Sequence, residues 1–187
     1  MLPENTDKKQ QKIASYFIIG TVMWEFFSYF GMQALLILYL VQKLHFSDSD
    51  AYAIYGAFTA LIFVTPIIGG WLADKFCGYR YAVMWGCVLI IVGHVSLSFF
   101  NLGLYFGLTA IILGIGFFKS NAICLIGDCY PNDPVGRGSA FAWYYVSGNL
   151  GAVISPVICP YLAQKYGWDF GFIAAAIGML FGLLMLL

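Results

Sequence analysis

The strongest constraint on this sequence is a succession of apolar runs, each close to membrane-crossing length and each joined to the next by only a few polar residues. About 20 apolar residues suffice to cross a hydrocarbon layer, and they do so as a helix because the backbone must satisfy its own hydrogen bonds there. Six spans can be drawn, at residues 13–42, 51–73, 81–99, 103–127, 139–163 and 170–187. The connections are residues 43–50, with Ser47, Asp48 and Ser49 as cap candidates, 74–80, a tight turn around Asn101, 128–138 and 164–169. None has room for a soluble domain. With 61% hydrophobic and only 10% charged residues, against roughly 25% charged in soluble domains, the fold class is all-α integral membrane.

Formal net charge is zero, which gives no footing for nucleic acid or another polyanion as partner. Positive charge is nevertheless unevenly placed. Lys8, Lys9, Lys12, Lys75, Arg80 and Arg137 fall on one side of the drawn topology, and only Lys43 and Lys165 on the other. Positive residues favour the cytoplasmic side, so the N-terminus is expected there. The first apolar run is too long for a signal peptide and has no small-residue cleavage site, so it reads as a retained span. Cys77, Cys87, Cys124, Cys129 and Cys159 show neither a CxxC pair nor companion histidines. They are read as packing residues, with no metal or other cofactor expected.

Three ionisable groups lie well inside spans: Glu25, His94 and Lys119. Such residues are costly in lipid and line the interior or a pathway. On a helix, Thr21, Glu25, Ser28, Tyr29 and Gln33 gather on one face. Lys119 is too deep to reach either surface comfortably, and Glu25, at similar depth on a helix running the other way, is its expected partner. That pair reads either as a structural clamp or as a ligand and proton site. His94 is read as a satisfied packing residue in preference to a proton relay. Asn149 is either a helix-to-helix hydrogen bond or a substrate contact. Small residues at Gly56 and Ala60, Gly69 and Gly70, Gly103 and Gly107, Gly114 and Gly116, and Gly148 through Ser155 are expected to let helices approach closely. No nucleophile elbow, phosphate loop or metal motif is visible, so no enzyme is expected.

The stretch Gly70-Trp71-Leu72-Ala73-Asp74-Lys75-Phe76-Cys77-Gly78-Tyr79-Arg80 places Asp74, Lys75 and Arg80 where a cytoplasmic charge latch can form, with Gly78 supplying the turn. It resembles the cytoplasmic signature of the major facilitator superfamily, with one extra residue before the glycine. Phe117-Phe118-Lys119-Ser120-Asn121, Gly127-Asp128-Cys129-Tyr130-Pro131 and Asn149-Leu150-Gly151-Ala152 resemble the proton-dependent oligopeptide transporters. The likeness covers nearly the whole chain but corresponds to the N-terminal six-helix half of a 12-helix transporter.

The resemblance implies proton-coupled transport of di- and tripeptides across the cytoplasmic membrane, with protons, a short peptide, the lipid bilayer and a C-terminal half as partners. It assigns substrate binding to Lys119, Asn149, Tyr29 and Gln33, proton coupling to Glu25 and Lys119, and the gate to Asp74, Lys75 and Arg80. The family's first-helix string, Glu-x-x-Glu-Arg-Phe-x-Tyr-Tyr-Gly, is only half kept. Val22 stands for the first Glu and Phe26 for the Arg, and Phe63 stands where a Tyr is usual in the second helix. Losing one acid and one base together preserves neutrality, so Val22 and Phe26 read as a compensated pair. The rival readings are a transporter of another small solute, such as amino acids or nitrate, and a remnant or membrane interaction module without transport. The apolar ending, Leu183-Leu184-Met185-Leu186-Leu187, is read as that of a truncated gene product or a deliberately cut sequence.

Overall fold

The computed structural model describes residues 8–99 and 103–187, with side chains described from residue 10. The expected turn around Asn101, and the N-terminal charges up to Lys9 that entered the orientation argument, lie outside the described side chains. The described residues form six α-helices: α1 (Lys8–Leu38), α2 (Asp48–Leu72), α3 (Gly78–Phe99), α4 (Leu104–Asp128), α5 (Pro134–Tyr166) and α6 (Trp168–Leu186). Single π-helical turns extend α1 over Tyr39–Lys43 and α2 over Ala73–Cys77. Because the second of these runs directly into α3, the helices make five continuous stretches long and apolar enough to cross a membrane, with Asp48–Phe99 as one of them. Gly78, at φ 74°, breaks the backbone direction within that stretch. A residue with a Cβ is strained there.

Local chemistry explains the helix starts. The Ser47 hydroxyl accepts from the Asp50 amide at 3.2 Å, and acids at Asp48 and Asp50 complement the exposed amides of the first turn of α2. Asp133 accepts from the Gly136 amide at 2.9 Å with Pro134 opening α5. Helices α2 and α5 continue through Pro66, Pro156 and Pro160.

The packing has an internal order. Helix α1 lies against α5 and α6, while α4 lies against α2 and α3, and α3 meets α6. Exchanging the first three helices for the last three, one for one, maps these contacts onto one another, as paired three-helix repeats do, although α5 also packs on α6 where α2 reaches α3 only through its π turn. Glycines make the equivalent crossings possible. A Cβ on Gly69 would come within 2.9 Å of the Phe117 amide of α4 and still closer to the Gly116 carbonyl, and one on Gly151 would come within 2.9 Å of the Phe27 amide of α1. Gly86 and Gly114, and Gly93 and Gly107, similarly bring α3 onto α4. Gly56 departs from the expectation: nothing lies near it.

Polar side chains stitch the interior. Thr21 donates to the Gly182 carbonyl at 3.0 Å, Thr65 to Ile112 at 3.1 Å, Ser147 to Ile19 at 2.9 Å and Asn121 to Gly69 at 3.3 Å. The Ser15 and Tyr130 hydroxyls lie 2.7 Å apart. Cys87, Cys129 and Cys159 are buried, Cys77 is half-buried and Cys124 is exposed. The outer faces of α2 and α5 remain apolar and open, with Phe63 73% and Ile67 74% exposed.

Candidate functional site

The site is built where α1 and α4 approach each other at mid-depth. Glu25 is 1% exposed, and neither of its carboxylate oxygens finds a hydrogen-bond partner among the described residues. The expected Glu25–Lys119 ion pair is therefore not formed. Lys119 turns instead to the rings of Phe26 and Tyr29 on α1. The Lys119 ammonium lies 4.9 Å from the Tyr29 ring centre and 5.5 Å from that of Phe26. Both distances fall within the roughly 6 Å over which a ring attracts a cation. An ionised Glu25 carboxylate in this position accepts no hydrogen bond and has only the longer-range attraction of Lys119 to offset its burial, a costly situation.

The aromatic surface under Lys119 is extensive. Tyr29 meets Phe30 edge-on at 4.9 Å, Phe26 lies 6.0 Å from Phe30, and Tyr144 of α5 stands edge-on to Phe26 at 6.4 Å. Lys119 is half-buried, so part of its charge is accessible. Gln33, two turns beyond Phe26, is also half-buried. Asn149 is exposed and its amide nitrogen donates to the Tyr145 carbonyl of its own helix at 2.7 Å, so no helix-to-helix hydrogen bond is made with that nitrogen.

His94 is fully buried on α3. One ring nitrogen, Nε2, lies 2.6 Å from the Ser28 hydroxyl of α1, and the other, Nδ1, has no partner among the described residues. The expectation of a satisfied packing residue is met on one side of the ring only. The Ser28 contact was missed in the sequence, although a serine three residues from Glu25 on the polar face was its visible trace. The Phe26 contribution was missed as well, because a phenylalanine in place of a basic residue reads as a loss and not as a new contact.

At the α2–α3 corner Asp74 meets the Tyr79 hydroxyl, and no ion pair links Asp74, Lys75 and Arg80, the expected latch, among the described residues. Lys75 lies over Trp71 and Phe76, at 5.2 and 5.3 Å, and Arg80 donates to the Leu186 carbonyl at 3.3 Å. A separate cavity of about 330 Å³ between α1, α5 and α6 is lined by Met23, Trp24, Ile154, Ile177 and Phe181 among others. It contains none of the ionisable residues. Among the described residues no group of three or more His, Cys, Asp or Glu side chains is placed to hold a metal ion.

A helical membrane protein with ionisable groups at mid-depth, one of them accessible and resting on aromatic rings, has the makings of a solute pathway. Residues 80–187 match the profile of the POT family. The chain belongs to that family, which is one of transporters. It is 37% identical over 174 residues to dipeptide and tripeptide permease A of Proteus mirabilis (strain HI4320), and 38% identical over 175 residues to dipeptide and tripeptide permease A of Salmonella typhi. These alignments cover 91% and 92% of this chain but only 36% and 35% of the permeases. The chain thus spans about a third of the length of those relatives. Among solved structures, a peptide transporter POT in complex with sulfate superimposes with a TM-score of 0.90 at 32% identity, over 97% of this chain and 41% of that one. A POT family transporter in complex with 5-aminolevulinic acid gives 0.86 at 37% identity, over 91% and 37%.

Proposed function

We propose that this chain is the N-terminal six-helix half of a proton-coupled transporter of di- and tripeptides in the cytoplasmic membrane, with its N-terminus in the cytoplasm. Residues 13–42, 51–73, 81–99, 103–127, 139–163 and 170–187 are its spans, the break at Gly78 dividing the second from the third. Alternating access needs two halves that rock about a shared site, so the six helices act with a C-terminal half. The open apolar faces of α2 and α5 are suited to meeting it.

The observation that carries this reading is Lys119: a lysine ammonium at mid-depth, partly accessible and without a hydrogen bond to Glu25. Such a cation is fitted to take a substrate carboxylate. Tyr29, Gln33 and Asn149 are assigned as the polar contacts for the peptide. Glu25 is the proton-coupling acid, ionising when a conformational change or a substrate brings a positive partner to it, and Lys119 is its electrostatic counterpart. Asp74, Lys75 and Arg80 form the cytoplasmic gate in another conformation of the cycle.

The test is dipeptide binding by the complete transporter that carries this chain, comparing a free C-terminal carboxylate with its amide. The free acid should bind at least tenfold more tightly, and Lys119→Ala should abolish the difference. Equal binding of acid and amide would remove Lys119 from its role. A second reading, transport of a smaller amino-acid-like solute, is favoured by the relative solved with 5-aminolevulinic acid and by the departures at Val22, Phe26 and Phe63. Preference for that solute over dipeptides in the same assay would select it.

A further inference from the structure

We infer that Phe26 and Tyr29 form an aromatic seat for the Lys119 ammonium, in which Phe26 is a positioning residue that holds the cation for substrate without a hydrogen-bonded acidic partner. The inference rests on the reading of Lys119 as the anchor for a substrate carboxylate. The two rings are three residues apart on α1, about one turn, so they present neighbouring faces to the same point. Lys119 Nζ reaches both, at 4.9 and 5.5 Å. Glu25, the acid beside them in sequence, makes no hydrogen bond to the ammonium and acts on it only through space.

The seat is itself held in place. Phe30 lies 6.0 Å from Phe26, and Tyr144 meets Phe26 edge-on. A Cβ on Gly148 would lie 3.0 Å from the Phe26 ring, so the absence of a side chain there lets the ring lie flush on α5. Tyr29 is buried and braced by Phe30. Phe26 therefore has little freedom to move away from Lys119.

The chemistry of such a seat differs from that of an ion pair. A carboxylate partner would neutralise the ammonium and compete with an incoming anion, and would lose its hold when protonated. Ring quadrupoles attract the cation but leave its full charge available. A seat of this kind fits a transporter whose anchor is one lone cation and whose ligand carries one carboxylate. It also explains how a base-to-phenylalanine exchange at position 26 preserves a positioned cation while removing a second one.

The inference is tested by replacing Phe26, in the complete transporter, with mono-, di- and trifluorinated phenylalanine, which progressively empties the ring face of negative potential with little change in shape. Affinity for a free-acid dipeptide should fall stepwise, to about fivefold to tenfold at three fluorines, while affinity for the dipeptide amide stays constant. Phe26→Tyr should bind like the parent, and Phe26→Leu should match the trifluorinated protein. A flat fluorination series would overturn the inference. A readout independent of transport is the Lys119 ¹³Cε resonance in ligand-free protein labelled with ¹³Cε-lysine and assigned with Lys119→Arg. It should show a ring-current shift that Phe26→Leu reduces, and an unshifted signal would also overturn the seat. A shifted signal without dipeptide binding upholds the seat and overturns the peptide reading instead.

Discussion

Replacing Phe26 by arginine tests the idea that Val22 and Phe26 are a compensated pair. A guanidinium at this position takes the place of a ring whose centre lies 5.5 Å from Lys119 Nζ. Two unit charges at that separation repel by about 3 kcal/mol at an effective dielectric constant of 20. The lost attraction between Lys119 and the ring adds roughly 0.5–2 kcal/mol. Glu25 offers no relief from α1 itself, because adjacent residues on a helix do not face each other. Position 22 is different: a glutamate there stands four residues before the arginine, in the favourable order for a helical pair. Val22 is 0% exposed, so the added acid needs the new arginine as much as the arginine needs it. Phe26→Arg should therefore lower the melting temperature and the monodisperse yield in detergent, and Val22→Glu with Phe26→Arg should recover a substantial part of both. A single variant as stable as the parent, or a double variant no better than the single, would refute the compensation.

Other outcomes follow from the packing. Gly151→Ala should destabilise severely, because its Cβ would run into the α1 backbone at Met23, whereas Gly56→Ala, with open space around it, should change the melting temperature little. His94→Leu leaves the buried Ser28 hydroxyl without its partner and should cost about 1–3 kcal/mol, part of which Ser28→Ala in the same protein restores. Thermal unfolding monitored by tryptophan fluorescence measures both. A membrane-impermeant maleimide should label Cys77 in inside-out vesicles and not in intact cells, which would place the α2–α3 corner in the cytoplasm. Cys129, whose thiol is pushed up to about 11 by burial first and by Asp128 next, should stay unlabelled from either side at neutral pH, since its reactive thiolate is absent well below that pH.

The helical architecture was legible because lipid leaves a chain few alternatives, and apolar runs separated by short polar turns declare themselves. Ser47 was among the residues expected to cap α2, and Gly78 was expected to turn the corner; the structure uses both in this way. The boundary between the second and third spans was less visible, since the helix widens into a π turn before Gly78 and makes one long stretch. The depth of Glu25 and Lys119 was readable from their positions, but their pairing was not. Facing goes with the helix rotation that seats Gly151 on α1 and Gly69 on α4, and although those small residues were legible, the helices they meet were not. The Ser28–His94 contact was hidden for the same reason. Phe26 was read as the loss of a basic residue, which concealed the part its ring plays beneath Lys119.

The central claim is that this chain supplies the carboxylate anchor of a proton-driven peptide transporter. It is tested most directly by uptake of a labelled dipeptide into liposomes carrying the complete transporter, with and without an inward proton gradient, for the parent and for Lys119→Ala. Gradient-stimulated accumulation by the parent, lost in Lys119→Ala while the variant protein remains folded, is the predicted result. Accumulation that ignores the gradient, or that survives the loss of Lys119, would contradict the account.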